Sequence, residues 1–301
     1  MRRIEYYLTM STVKSHNDGG IAIVTGASSG IGASFARRLN AAALGAERYP
    51  GLPAFDELWL VARRGDRLET LAGELRSLHA ASTMKSGAAT PKIRTFPADL
   101  VSEGALVTLT VAAKSTGKPV RILVNNAGYG TYGPFSETDL HRQLGQIDLN
   151  CRSLTEACGL FDPLLGPGSL VVNVASLAGF APLGGFAVYA ASKAYVLSFS
   201  VALASEWKAR GIRVQALCPG SVDSEFALVA SEGARTVVLH GWSADRTTAI
   251  SLRHAGRGKI ISLPRLSWKV QRFGSALVGP VISAVFAQRF LQRPHKGKTR
   301  V

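Results

Sequence analysis

The sequence predicts a doubly wound parallel α/β sheet in a single domain, and three observations carry that prediction. Short apolar runs alternate with helical stretches from residue 20 to about 218, the pattern of consecutive βαβ units. The first run, IAIV at 21–24, is apolar and β-branched rather than alternating, as suits a parallel strand covered on both faces. That run passes straight into a glycine-rich turn and then a helix. With 301 residues, 47% of them hydrophobic, and a mean hydropathy of +0.14, the chain can bury a substantial core. No internal repeat or low-complexity linker interrupts it.

Residues 1–19 are polar and contain no apolar segment long enough for a signal peptide, so they read as a mobile extension, with Met10 a second possible start. A folded domain is expected over 20–245, followed by a basic, partly helical C-terminal extension over 246–301. In GIAIVTGASSGIG at 20–32, Gly26, Gly30 and Gly32 allow a tight turn around Ser28, Ser29 and Ile31, and ASFARRLNAAAL continues as a helix. Such a turn lets a pyrophosphate approach the backbone, and the helix start offers free N–H groups and a positive dipole end. The next strand, ELWLVA, ends at Arg63-Arg64, with the helix GDRLETLAGEL behind it. Strand IRTFPAD closes on Asp99; strand RILV leads into NNAG at 125–128. Helical spacing over about 136–162 includes QIDLN, which ends at Asn150. Strand LVVNVAS ends at Ser176, a helix spans about 187–210, and strand RVQALC precedes Pro219-Gly220. FALVASEG reads as a lid helix, and KIISLPRLSWKVQRF as apolar cover beyond it.

Within the 187–210 helix, YAASK places Tyr189 and Lys193 four residues apart and so on one face. An ammonium beside a phenol favours phenolate and brings the group toward use as a proton donor or acceptor near neutral pH. Ser176 supplies a second hydroxyl for a substrate oxygen. The same spacing also suits an ordinary amphipathic helix turn; the glycine turn upstream favours the chemical reading.

Over residues 20–230 these motifs, in this order, resemble the short-chain dehydrogenase/reductase family: TGASSGIG, NNAG, Asn150, Ser176, YAASK and Pro219-Gly220. The resemblance implies a Rossmann-type sheet and an enzyme that moves hydride between a nicotinamide and a carbonyl carbon. It implies Tyr189 as proton donor, Lys193 as its partner and a contact to the nicotinamide ribose, Ser176 as the group polarising the carbonyl, and Asn150 holding a water that relays protons. A plain structural role for Asn150, closing a gap in a helix, stands beside that reading. The implied cofactor cradle is Gly26, Ser28, Ser29, Gly30, Ile31 and Gly32, with Asp99 and Leu100 at the adenine, Asn126 and Gly128 at the ribose, and Tyr189, Lys193, Pro219, Gly220 and Val222 toward the nicotinamide. Where the family often has threonine after Pro-Gly, this chain has SVDSEF, so Ser224 substitutes or the contact is lost.

No acidic residue ends the second strand, where one would accept from the ribose 2′-hydroxyl of NAD. Arginine pairs with the 2′-phosphate instead, so NADP(H) is favoured over NAD(H), with Arg63 as first choice and Arg64 turned to solvent. The expected reaction is reduction of a ketone or aldehyde to an alcohol; an NAD-linked alcohol dehydrogenase and a non-catalytic dinucleotide-binding regulator are the alternatives. Family members usually pair through the helices at about 136–162 and 187–210, which implies a homodimer or homotetramer.

Three cysteines without CxxC spacing read as buried thiols in a reducing compartment, and the scattered histidines suggest no metal site. No run reaches the about 18 apolar residues of a spanning helix, so a cytoplasmic enzyme is expected. The net charge of +15 is concentrated late: no acidic residue follows Asp245, and KGKTR at 296–300 is a basic tail. With no DNA- or RNA-binding motif present, specific nucleic-acid binding is not expected; the charge reads as serving solubility or a loose anionic contact, with a weak contact to an anionic membrane surface through the basic C-terminus as the alternative. RYPGLPAFDE and HAASTMKSGAATPK lengthen two connections, both expected on the adenosine side of the sheet.

Overall fold

The computed structural model describes residues 19–86, 90–236 and 241–296; the N-terminal extension before 19 and most of the basic tail lie outside them. Seven strands form the sheet: β1 Ile21–Thr25, β2 Glu57–Ala62, β3 Lys92–Pro97, β4 Val120–Asn125, β5 Leu170–Val174, β6 Arg213–Leu217 and β7 Ile261–Ser262. All pairings are parallel, in the order β3-β2-β1-β4-β5-β6-β7. The fold is the Rossmann-type doubly wound sheet that the sequence predicts.

Why the central strands are apolar at every position is visible in the two layers. Ile21, Ile23, Trp59 and Val61 pack beneath α3 (Ala105–Ser115), α5 (Ser153–Phe161) and α6 (Ala187–Glu206), through Leu109, Phe161 and Val196 among others. Ala22, Val24, Leu58 and Leu60 point the opposite way, into α1 (Gly30–Ala43), α2 (Gly65–Ser86) and α8 (Ala244–Gly256). A strand with helices on both faces has no wet side, so period-two alternation disappears. Helix α6, 20 residues long, is apolar enough to pass for a membrane span, yet it packs against the sheet and β6.

Between α4 (Leu140–Ile147) and α5 the chain widens into a π turn over Asp148–Arg152. Such turns replace the i→i−4 ladder locally and recur at functional sites; this one carries Asn150.

The two lengthened connections lie elsewhere than expected. Each joins the end of a helix to the start of a strand, and in βαβ units those junctions fall at the amino ends of the strands, opposite the ligand crevice. RYPGLPAFDE packs instead on the end of α8: a Cβ on Gly51 would stand 2.4 Å from the Gly256 carbonyl oxygen. Much of HAASTMKSGAATPK extends α2 to Ser86, and residues 87–89 lie outside the described part.

The division drawn at 245 falls inside α8, which packs on α1, and β7 pairs with β6 through Ala216↔Ile261 and Leu217↔Ser262. The chain then forms α9 (Leu266–Val278) and α10 (Pro280–Phe290), set at 118° to each other across Gly279. FALVASEG forms only a short helix, α7 Phe226–Ala230.

Candidate active site

The strand order reverses between β1 and β4, the point where doubly wound sheets leave a crevice at the strand carboxyl ends. The TGASSGIG turn and NNAG meet there. Gly26 has φ +65°, and a Cβ on it would stand 2.9 Å from the Ala127 Cα; only glycine combines that conformation with that approach. Gly32 is as tightly held, since a Cβ would stand 2.2 Å from the Gly26 carbonyl oxygen. Asn126 fastens the two segments: its Nδ2 donates to the carbonyls of Thr25 (2.9 Å) and Gly26 (3.3 Å), and its backbone N–H donates to Thr25 Oγ1 (2.9 Å). Helix α1 therefore begins in the crevice. Its N-cap, Ser29, makes no side-chain cap hydrogen bond, and its first turn holds no acidic residue, which leaves a positive, donor-rich end facing the space above the turn.

At the end of β2 the structure reverses the expected assignment of the arginines. Arg63 is 70% exposed at its side chain and comes no nearer than 3.9 Å to Asp99. Arg64 crosses the glycine turn, its Nη2 donating to Ser28 Oγ (3.0 Å) and Ser29 Oγ (2.9 Å). Neighbouring residues at a strand end point to opposite sides, so only one of the pair can face the turn. Glu225 joins Arg64 at 2.8 Å and also pairs with Arg67, and these guanidinium hydrogen bonds hold its carboxyl down at about 2. Asp99 accepts from the Val101 N–H at 3.3 Å, and the side chain of Leu100 is buried in the core.

Tyr189, Lys193, Ser176 and Asn150 are all buried and converge at the ends of β4 and β5. Lys193 Nζ donates to the Val174 carbonyl at 2.7 Å and stands 5.8 Å from the centre of the Tyr189 ring. Burial lowers its ammonium to about 8. The phenol does not behave as the Tyr–Lys spacing suggests. Burial raises Tyr189 well above its ordinary value, outweighing the hydrogen bond with Ser176 that pulls it down. The phenol is consequently protonated through the neutral range. Ser176 Oγ accepts from the Ala178 N–H (3.1 Å) and donates to the Pro219 carbonyl (3.3 Å), which fixes its position at the β5 end.

Asn150 acts as a clamp. Its Nδ2 donates to the Tyr129 carbonyl (2.9 Å) and Ser192 Oγ (3.1 Å), while its Oδ1 accepts the Tyr129 N–H (3.1 Å). The π turn brings this amide to the strand end. Gly128 backs onto both partners: a Cβ there would stand 2.6 Å from Asn150 Oδ1 and 3.5 Å from Lys193 Nζ.

Gly220 lies against Trp268 of α9, with the indole nitrogen 2.4 Å from where a Cβ would stand. Val222 is buried and forms an isolated bridge with Trp242. Ser224 lies over the glycine turn, its Cβ 3.0 Å from the position a Gly30 Cβ would take. Beside Tyr189 an aromatic wall closes the crevice: Phe186 stacks on it at 4.3 Å between centroids, with Phe226 at 5.1 Å from Tyr189 and Tyr132 at 4.9 Å from Phe186.

A sequence profile of the short chain dehydrogenase family matches residues 55–236. The chain belongs to the short-chain dehydrogenase/reductase family. It is 32% identical over 217 residues to sulfoacetaldehyde reductase 2 of Chromohalobacter salexigens, covering 71% of this chain and 77% of that one. A putative ketoacyl reductase of Streptomyces coelicolor is 30% identical over 278 residues, covering 90% and 94%. Among solved structures, a short-chain dehydrogenase from Sphingobium yanoikuyae in complex with NADPH superposes with a TM-score of 0.69 at 28% identity, over 88% of this chain and 95% of that one. As a short-chain dehydrogenase/reductase, the protein is an NAD(P)-dependent oxidoreductase acting on carbonyl or alcohol groups.

Several residues of this short-chain dehydrogenase/reductase site carry no sequence signal of their own. Ser192 lies inside YAASK and reads as a helix filler until Asn150 is seen to need a partner. Glu225 and Trp268 meet Arg64 and Gly220 across 161 and 48 residues of chain, respectively, and no periodicity records such contacts.

Proposed function

We propose that this protein is an NADP(H)-dependent reductase that converts a ketone or aldehyde to an alcohol, reversibly. The observation that carries the cofactor choice is Arg64, which lies across Ser28 and Ser29 beyond a strand whose carboxyl end has no acidic residue. The uncapped start of α1 and the close glycine turn fit a pyrophosphate, and the guanidinium beside them fits a 2′-phosphate. When bound, the dinucleotide supplies the hydride. The chain does the rest: the glycine turn and Arg64 hold the phosphates, Gly128 and Lys193 face the ribose, and Pro219 and Gly220 shape the nicotinamide end. Tyr189 donates its phenol proton to the substrate oxygen, which Ser176 also hydrogen-bonds. Lys193 replenishes that proton, and Asn150 holds the Tyr129 backbone and π turn in place around it. A phenol kept protonated by burial suits donation, and hence the reducing direction.

Arg64→Ala should weaken NADPH binding about ten-fold and leave NADH binding much less affected, in line with a half-exposed charge-assisted hydrogen bond. Arg63→Ala should do less. Titration of nicotinamide fluorescence with both dinucleotides reads this directly; equal losses for the two would favour the NAD-linked alternative. Binding of NADPH without oxidation by any member of a carbonyl panel would favour the non-catalytic regulator.

A homodimer through α4 and α6 is part of the same reading. Leu140, Leu144 and Ile147 are exposed at i, i+4 and i+7 on α4, next to exposed Tyr195 and Val201 on α6. A single-chain mass by light scattering at micromolar concentration would sink it. The setting proposed is the cytoplasm, where the free thiols Cys151, Cys158 and Cys218 remain reduced.

The anionic-membrane contact has a surface larger than the basic tail. Of 23 exposed large hydrophobics among the described residues, 11 lie between Leu266 and Leu291. Leu266, Val270, Phe273 and Leu277 form a stripe along α9, and Val281, Ile282, Val285 and Phe286 one along α10. Exposed apolar stripes flanked only by basic charge match an interfacial helix pair on anionic lipid. The protein should co-sediment with phosphatidylglycerol vesicles, less with phosphatidylcholine. Phe273→Asp with Ile282→Asp should abolish this, and wild-type protein that stays in the supernatant would end the idea.

A further inference from the structure

Behind the aromatic wall, the chain returns from α10 and lays Arg293 on two of the rings that line the substrate end of the crevice. The Arg293 guanidinium carbon stands 4.8 Å from the Phe186 ring centre and 5.5 Å from that of Tyr132. Phe186 in turn stacks on Tyr189, so the guanidinium is one ring removed from the proton donor. The segment is tied down beside it: the His295 ring packs on Gly133, 2.6 Å from where a Cβ would stand, and Gln288 and the Ala284 carbonyl pack on Gly184.

Arg293 is only partly buried, and the compensation it draws from the described residues is small. Its hydrogen bond is to the Leu291 carbonyl, at 3.4 Å. Ring faces hold a cation less strongly than a carboxylate would in the same surroundings. Among the described residues, the acidic groups of the flanking segments pair elsewhere: Glu137 with His295 Nε2 (3.1 Å), Glu232 with Arg142 Nη1 (2.9 Å), and Glu225 with Arg64 and Arg67. Burial lowers the Arg293 pKa, and Arg235 lowers it further. The end of the crevice is thus apolar in its walls and positive in its charge, a combination that an oxyanion on an organic ligand would satisfy.

We infer that Arg293 is a specificity residue that receives an anionic group, a carboxylate or similar oxyanion, on the carbonyl substrate. The inference rests on the proposed reductase activity for its setting, and it narrows the substrate class to oxo compounds that carry a negative charge. The carbonyl would lie at Tyr189 and Ser176 with the charged end toward Arg293, and the rings of Phe186, Tyr132 and Phe226 would flank the carbon chain between them.

The test uses full-length protein and a series of oxo-carboxylates, with one to five carbons between carbonyl and carboxylate, each beside its neutral methyl ester. Wild type should favour at least one acid over its ester in kcat/KM by about ten-fold or more, mostly through KM. In Arg293→Gln that acid-to-ester ratio should fall toward one, and Arg293→Lys should keep part of it. If esters are reduced as well as acids by wild type, or if Arg293→Gln lowers both equally, Arg293 is a packing residue and the inference is wrong while the reductase reading stands. Should neither series oxidise NADPH, the reductase reading fails instead. Calorimetric titration of the same oxo-carboxylates into wild type and Arg293→Gln then decides the anion site by itself: binding that does not weaken in the variant overturns it.

Discussion

Replacing Tyr189 with phenylalanine should lower kcat by about 10²–10⁴-fold, the usual contribution of a general acid, while NADPH affinity changes little. The ring sits in a packed stack: Phe186 lies 4.3 Å away and Phe226 5.1 Å. Phenylalanine keeps those contacts and the shape of the crevice. What it removes is the hydroxyl, the protonated group that burial holds ready at the end of β5 and that Ser176 meets by hydrogen bond. Steady-state turnover and fluorescence titration of NADPH separate the two effects. A variant retaining more than half the parental rate would mean that another group supplies the proton, and Tyr189 would then be a wall residue. Binding and turnover that fall together would point to collapse of the aromatic wall.

The sheet was readable because its signals are local. IAIV, RILV and LVVNV are apolar at each position, and each runs into a turn whose residues must be what they are: Gly26 and Gly32 because the NNAG backbone and amide leave no room for a Cβ. Tyr189, Lys193, Ser176 and Asn150 were readable for the same reason, each closing a strand or a helical turn of recognisable pattern. Three things were not. Arg63 and Arg64 are identical in kind, and which one faces the loop depends on the direction the strand ends in, a geometric fact absent from composition. The titration of Tyr189 depends on burial, which the Tyr–Lys spacing does not encode; the lysine was legible, the desolvation that outweighs the Ser176 hydrogen bond was not. The C-terminal region gave helical periodicity and basic charge but not its docking. That Trp268 covers Gly220 follows from where α9 docks, and that Arg293 reaches the aromatic wall from how α10 turns back across Gly279.

Lys193 should leave a second, independent mark, on stability rather than rate. Burial lowers its pKa from an ordinary 10.5 to about 8 in the folded protein, so between those values the unfolded chain binds more protons than the folded one. Stability must then rise with pH across this window, and it is below pH 8 that the buried ammonium costs its full amount. A shift of that size corresponds to about 3 kcal/mol at 1.36 kcal/mol per pKa unit. Lys193→Met keeps most of the side-chain volume and has no proton to lose. It leaves the Val174 carbonyl without its donor, but that loss is the same at every pH and cancels when the difference is followed against pH. Denaturant unfolding of both proteins, without dinucleotide, at intervals from pH 7.5 to 10.5 reads the effect. Wild type should gain on the methionine variant by about 3 kcal/mol over that range, while the variant loses turnover at every pH. Parallel stability curves would show that Lys193 titrates near its ordinary value, held charged by the Val174 carbonyl. In that case the ammonium would act on Tyr189 as a fixed cation through the whole working range, and proton replenishment would have to come from another group at the crevice.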